Sequence, residues 1–509
     1  MNRVKTNFFA NLAGSGWAAL VGLACTPLYI RFMGMEAYGL VGFYFLLQGI
    51  ISILDLGLSP TMNREMARYS VMPDKAGEAR DFVRTLEIGY WAVGILIGAA
   101  IYFAAPYIAT HWIKAGDIPA SEIRRAVTIM GVLAALQWPL SLYQGGLLGL
   151  QRQVLFNGIS IVTATLSGGG ALLVLWLVSP TISVFFTWQI VIALLQTTVT
   201  TIALWRCLPA SGMRPRFEPG LLRSTWRFTA GMGAITLSAI ILTQLDKAIL
   251  SKMLTLKTFG YYVLAGVVGG SLTSLIVTPM FNTIFPRFSS LVAQGEEKKL
   301  VEMYHGSTQV MAVLILSTAT FIALFSREIL LLWTGNPEVM RNAAPIVSIL
   351  VIGTALNGLM NLPYALQLAN GWTKIGVTIN IVFIIALVPA IVFLTTHYGP
   401  VGAASAWIIL NAVYMAIGVP LTHRRLLIGE VPRWFTKDVG IPLAGSLIIA
   451  GCARLIFVDF HSLSRFGSAA LLLLILMLDV IGAALCTPAT RDFISFSLFN
   501  RKQSFERMK

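Results

Sequence analysis

Few residues in this chain could do chemistry, and most of them stand in apolar surroundings. Asp55 interrupts the stretch 38–68, YGLVGFYFLLQGIISILDLGLSPTMNREMAR, which opens without charge and closes past a Ser59-Pro60 break on Arg64, Glu65 and Arg68. An apolar run of about 20 residues spans a bilayer core. A carboxylate at the centre of such a helix costs about 2.5–3.5 kcal/mol, and less towards its end, where Asp55 falls. Side chains that costly face a wet cavity or an ion path. The plainer alternative has Asp55 reaching the headgroups or pairing locally with Arg64. Asp246 and Asp479 are the other carboxylates in apolar segments. Asp55 and Asp246 are therefore the candidates for coupling to a proton or sodium gradient. Asp479 is expected to pair with another charge, such as Arg454, and to serve assembly.

The toolkits of common enzymes are missing. The sequence holds no GxxxxGK[ST] loop for ATP, no HExxH or Cys/His cluster for a metal and no GxSxG elbow. Cys25, Cys207, Cys452 and Cys486 lack metal-ligand spacing, and no disulfide is expected among them. The five histidines are scattered near the ends of apolar segments. The chain is thus read as a non-enzyme without cofactor.

The elements that must position these residues follow from composition. The chain has 509 residues, 56% hydrophobic and 12% charged, with mean hydropathy +0.77; a soluble domain carries about 25% charged residues. Uncharged segments recur along its length, so the fold class is an all-α polytopic membrane protein of about fourteen transmembrane helices. The first two spans are placed at about 8–30 and 38–61 and the eleventh and twelfth at about 375–396 and 400–421. The net charge of +15 does not indicate nucleic acid, because the Lys and Arg residues lie in short segments between spans. Most of them fall on the side of the N-terminus, which places both termini in the cytoplasm. No loop is long enough to form a soluble domain.

A weak internal echo organises the spans. Tyr38-Gly39 recurs as Phe259-Gly260, and Pro60, Asn63 and Arg68 recur as Pro279, Asn282 and Arg287 with one small gap. The echo predicts two six-helix lobes, 1–205 and 228–421, related by a parallel pseudo-repeat. A cytoplasmic linker, 206–227, joins them. Two C-terminal helices over 439–487 and a basic tail over 488–509 follow. Gly145/Gly149 and Gly266/Gly270 fit small-xxx-small helix packing.

The stretch 38–68 resembles the corresponding part of bacterial polysaccharide transporters, the O-antigen flippase (Wzx-type) family of the multidrug/oligosaccharidyl-lipid/polysaccharide flippase superfamily. Gln244-Leu245-Asp246-Lys247, Phe259-Gly260-Tyr261-Tyr262 and Tyr398-Gly399-Pro400-Val401-Gly402 extend the resemblance. It implies two bundles that rock between inward- and outward-open states in the bacterial cytoplasmic membrane. The implied cargo is an oligosaccharide on undecaprenyl pyrophosphate, and the implied associates include polysaccharide polymerase or ligase components. Multidrug exporters of the same superfamily are the alternative within transport. A membrane-embedded glycosyltransferase or polymerase is the alternative outside it. Related lipid II flippases are expected to carry arginines in the first span, and residues 8–30 contain none. That argues against the peptidoglycan precursor.

Such a cargo needs cations for its phosphates, where Arg64, Arg68, Lys247 and Arg287 are the candidates. It needs amides for its sugar hydroxyls, where Gln48, Asn63, Asn282, Asn357 and Asn361 are the candidates. Each has a plainer reading: the arginines set topology at cytoplasmic helix ends, Lys247 anchors a helix end, and the amides bond between helices.

Overall fold

The computed structural model describes residues 2–210, 214–372, 374–457 and 464–491, most of them in helices and none of them in a β-strand. In chain order the helices are α1 (Asn2–Ser52), α2 (Leu58–Tyr69), α3 (Ala76–Tyr107), α4 (Ala120–Gln137), α5 (Leu140–Gly149), α6 (Gln153–Leu177), α7 (Ile182–Cys207), α8 (Pro219–Met253) and α9 (Leu256–Leu272). They continue with α10 (Thr278–Gln294), α11 (Glu297–Leu324), α12 (Ser326–Thr334), α13 (Pro337–Leu359), α14 (Asn361–Ala369), α15 (Lys374–Leu426), α16 (Val431–Arg433), α17 (Ile441–Ile456) and α18 (Arg465–Cys486). The tail expected over 488–509 lies outside the described residues beyond 491.

Eleven helical stretches among the described residues are long and apolar enough to cross a membrane. Two of them, Ala13–Asp55 with 43 residues and Val382–Leu426 with 45, far exceed what one crossing requires. Each is broken at a glycine, Gly34 (φ 84°, ψ 166°) and Gly399 (φ 59°, ψ −144°). Both breaks fall between the span boundaries expected from sequence. Only glycine takes such positive φ values without a Cβ penalty.

The chain divides into two compact units, Met1–Gly260 and Tyr261–Lys509. Helix α8 packs on α1 and α2 and so belongs to the first. The packing boundary therefore comes later in the chain than the lobe boundary drawn from the sequence echo. Within each unit the same architecture recurs. Helix α2 packs on α5 and α3 on α4; α10 packs on α14 and α11 on α13. The starts of α5 and α14 are separated by the same offset as Tyr38-Gly39 and Phe259-Gly260. The helix entering α2 breaks through a 3-10 turn, Ile53–Asp55, followed by left-handed Leu56 and Gly57. Its counterpart runs on through a π-turn, Thr273–Val277, with helical backbone on both sides.

The glycine pairs behave differently. A Cβ on Gly145 would lie 2.6 Å from the Ser59 carbonyl oxygen, and one on Gly149 would lie 2.3 Å from that of Asn63. These two glycines let α5 lie flush on α2. Gly266 and Gly270 have nothing within 4 Å, so they do not form the packing stripe their spacing suggested.

The α3–α4 connection of the first unit is sewn down on both sides. Glu36 accepts the backbone N–H groups of Gly116 and Asp117 at 2.5 and 2.9 Å. Trp112 Nε1 donates to Ser251 Oγ at 3.0 Å, Lys114 Nζ to the Met253 carbonyl at 3.0 Å, and Leu256 N to the Lys114 carbonyl at 2.8 Å.

Candidate functional site

The first unit contains a seam of polar side chains that runs along the breaks in its helices. At one point Tyr44 and Gln48, one turn apart on α1, meet Gln137 at the end of α4. Tyr44 donates to Gln137 Oε1 at 2.7 Å, and the Gln48 amide reaches both partners.

Asp55 comes next, at the end of the 3-10 turn. Its Oδ2 accepts the Ser59 N–H at 3.2 Å, satisfying a donor of the first turn of α2. Its Oδ1 accepts from Ser59 Oγ at 2.6 Å and from the Tyr90 hydroxyl at 2.5 Å. The Tyr90 ring stacks on Trp138, with centroids 5.6 Å apart and planes at 25°. Trp138 and Pro139 form the break between α4 and α5, where proline has no N–H to continue the helix. Asp55 thus joins two helix breaks through one tyrosine. Of the two sequence-based readings, local pairing with Arg64 is replaced by this contact set. Arg64 lies 3.8 Å from Glu65, and Arg68 lies 3.6 Å from it on the other side.

One turn along α3 from Tyr90, Glu87 is buried and takes several donors. Tyr143 donates to its Oε1 at 2.8 Å and Trp205 Nε1 to the same atom at 3.2 Å, while Arg84 Nη1 lies 2.8 Å from Oε2. Trp91 Nε1 donates to the Tyr143 hydroxyl at 3.1 Å. Arg84, Glu87 and Trp91 share a face because residues three and four apart are neighbours on a helix. They wall a cavity of about 580 Å³ together with Tyr143, Thr197, Thr198, Thr201 and apolar side chains of α3, α4 and α7. The lining combines indole and phenol rings, hydroxyls and a carboxylate. These groups can hold polar ligands. No group of three or more His, Cys, Asp or Glu suited to a metal occurs among the described residues.

The other residues singled out from sequence are dispersed. Arg64 and Arg68 are about half exposed around the buried Glu65, with side-chain exposures of 50% and 58%. Asn63 lies beside them on α2, its carbonyl against Gly149. Asn282 and Arg287 are exposed on α10. On α8, Lys247 Nζ lies 3.5 Å from Gln244 Oε1 and Asp246 is half-buried. Asn357 donates to Asn411 Oδ1 at 2.9 Å, bonding α13 to α15, and Asn361 donates to the Asn357 carbonyl at 3.1 Å across the α13–α14 break. The expected Asp479–Arg454 pair is corrected. Arg454 Nη1 lies 2.6 Å from Glu328 Oε1, and Asp479 instead accepts from Ser446 Oγ at 3.0 Å. Arg454 is near the end of α17, whereas Asp479 lies about 20 Å along α18 from its start. The two charges are therefore at different depths.

A model of the polysaccharide biosynthesis protein family matches residues 28–337, which include α2, α3, α5 and the whole polar seam. The chain belongs to that family. It is 22% identical over 419 residues to a Shigella flexneri protein assigned as an O-antigen transporter, covering 82% of this chain and 97% of that relative. Its fold is similar to that of the lipid II flippase MurJ in an inward closed conformation. That match has a TM-score of 0.73 and 13% identity over 94% of this chain and 98% of that one. An inward-facing multidrug resistance MATE family transporter of the MOP superfamily is similar with a TM-score of 0.65 and 16% identity, over 82% and 94% of the two chains. This family member is a multi-pass membrane protein with the MurJ/MATE-like fold, and its relatives are transporters and flippases. The motif of residues 38–68 falls within the matched region.

Proposed function

We propose that this protein moves an undecaprenyl-pyrophosphate-linked oligosaccharide, an O-antigen or another surface polysaccharide repeat unit, from the cytoplasmic to the outer leaflet of the bacterial cytoplasmic membrane. The mechanism is alternating access by two six-helix lobes, with both termini cytoplasmic. The match of residues 28–337 to a polysaccharide biosynthesis family is the observation that carries this reading. The length-wide likeness in fold to a lipid flippase supports it. In this proposal Arg64, Arg68, Lys247 and Arg287 meet the phosphates as the cargo passes. Gln48, Asn63, Asn282, Asn357 and Asn361 meet sugar hydroxyls, and Asp55 and Asp246 serve ion coupling. Polymerase or ligase components receive the product. A second reading, export of a small amphiphile, is favoured by the similarity in fold to a multidrug transporter.

The test is flipping in proteoliposomes of a defined undecaprenyl-pyrophosphate oligosaccharide, with a fluorescent drug as the competing cargo. Transport of the first and not the second supports the proposal. The reverse result replaces it with the amphiphile reading. Arg64→Ala and Arg287→Ala, if folded and fully active, would return those side chains to setting topology.

A further inference from the structure

We infer that the end of the first unit where α6 gives way to α7 is a lipid-binding site, and that it takes the phosphate of an anionic glycerophospholipid such as phosphatidylglycerol. The observation is a cavity of about 380 Å³ formed by residues of α4, the end of α6 and the start of α7. Arg125, in the second turn of α4, is its charged group and is exposed. Among the described residues Arg125 makes no ion pair and no hydrogen bond, so its charge is available to a ligand. In the larger cavity of the same unit Arg84 is already paired with Glu87 at 2.8 Å. The smaller cavity therefore carries a net positive charge and the larger one does not.

A second set of donors converges on the same place. Helix α7 starts after Thr181, whose backbone is extended (φ −112°, ψ 151°) and whose hydroxyl does not cap the helix. The N–H groups of the first turn have no acceptors within the helix, and their partial positive charge favours an anion. Ser183, in that turn, is the independent sign that a ligand belongs there. It is 9% exposed and lines the cavity. Thr187 bonds its carbonyl oxygen, and its hydroxyl has no hydrogen-bond partner among the described residues. A buried donor left unsatisfied is costly. Phosphate oxygens would accept from this hydroxyl and from the paired N–H groups of an arginine.

The groups below these donors suit an acyl chain. Trp188 spends its indole N–H on the Leu166 carbonyl at 2.9 Å, which leaves the cavity its apolar ring. Val191 stands in the third turn of α7, about 14 Å along the helix from Ile182, and is 49% exposed; Val178, just past α6, is 70% exposed. The cavity thus opens along a side whose rim is apolar, and around segments long enough to span a bilayer that rim meets hydrocarbon. A soluble anion would use the donors and leave the valines in water. A glycerophospholipid uses both, and basic pockets between transmembrane helices bind anionic headgroups. The inference rests on the transport reading only for orientation, in which this end of the unit faces the outer leaflet.

The test is native mass spectrometry of the full chain, without cargo, in detergent containing equal amounts of phosphatidylglycerol and phosphatidylethanolamine. Wild type is expected to retain one phosphatidylglycerol in preference to phosphatidylethanolamine by about fivefold, the weight of one basic residue at a membrane surface. Arg125→Ala should abolish that preference, and Arg125→Lys should restore most of it. Arg125 has no partner to lose, so the thermal melt of the lipid-free variant should match wild type. Arg124→Ala removes a neighbouring exposed charge that does not line the cavity, and it should behave as wild type. Equal retention of the two lipids, or an equal loss in Arg124→Ala and Arg125→Ala, overturns the site. Displacement of the lipid by millimolar inorganic phosphate would reduce it to a soluble-anion site, and stronger retention of undecaprenyl phosphate would give it to the isoprenoid carrier; either result overturns the assignment to a glycerophospholipid. No flipping is measured, so such a failure leaves the transport proposal standing, and failure of the transport proposal leaves lipid retention intact.

Discussion

The break between α1 and α2 and the π-turn between α9 and α10 stand at corresponding points of their units, yet different materials surround them. In the first unit the gap is closed by Asp55, Ser59 and Tyr90 in mutual hydrogen bonds. In the second, Val277 is buried in a core with Ile315, Leu359 and Met360, and a Cβ on Gly358 would lie 2.1 Å from Ile315 Cδ1. The two junctions are thus held by different means. Hydrogen bonds among hydroxyls and a carboxylate can be exchanged for bonds to water or cargo. Close-packed methyl groups have no such substitute. On this comparison the junction in the first unit is the adaptable one and that in the second the close-packed one.

Substitutions can break the comparison or sharpen it. The largest effect should come from Gly149→Leu, which drives a side chain into the Asn63 carbonyl. Overpacking of this kind costs about 1–3 kcal/mol and occasionally more, and a fluorescence-detected thermal melt of purified protein should show a loss of several degrees or of folded protein altogether. Gly266→Leu, placed where nothing lies within 4 Å, should leave the same melt unchanged.

Next in size is Asp55→Ala. Hydrogen bonds to a charged group contribute about 1.5–3 kcal/mol, and a double-mutant cycle with Tyr90→Phe should give a coupling of about 0.5–3 kcal/mol. Additivity of the two would show that the polar bridge between the breaks contributes no stability. In the second unit Ile315→Val should cost about 0.5–1.5 kcal/mol through lost packing, with no change in flipping. A transport defect there would erase the distinction between the adaptable and the close-packed junction. Smallest of all, Ser274→Ala tests the place equivalent to Asp55 under the Pro60–Pro279 offset. Its hydroxyl bonds only back to the Gly270 carbonyl at 3.1 Å on an exposed surface, so the melt should move by no more than about 0.5 kcal/mol.

The polytopic helical class was legible because a chain this poor in charge has no soluble alternative, and Gly34 and Gly399 sit where the apolar runs were divided. Asp55 was legible as unusual because a charge in an apolar run is costly. Its partners were not, since Tyr90 lies on another helix and a tyrosine in a membrane segment raises no alarm. Glu87 was passed over because it stands near the start of its span, where a carboxylate looks ordinary. Arg125 and Ser183 are brought to one cavity from separate helices, and single-sequence spacing carries no signal for that. The Asp479–Arg454 expectation failed on depth, which neighbouring helices share only at matching heights. The two glycine pairs have identical spacing. What separates them is whether another helix arrives, and that is a property of the partner.

The stitches at Trp112 and Lys114 also bear on the order in which the protein can be made. Ser251, Met253 and Leu256 lie well over a hundred residues downstream of the loop they secure. Chains emerge from the ribosome N-terminus first, at about 5–20 residues per second, so the α3–α4 connection waits many seconds in the membrane for its last partners. Of these stitches, a nascent chain halted after α7 would have only those from Glu36. The first unit is therefore completed only when α8 has been inserted, and a six-helix fragment ending at residue 205 should be a substrate for membrane proteases.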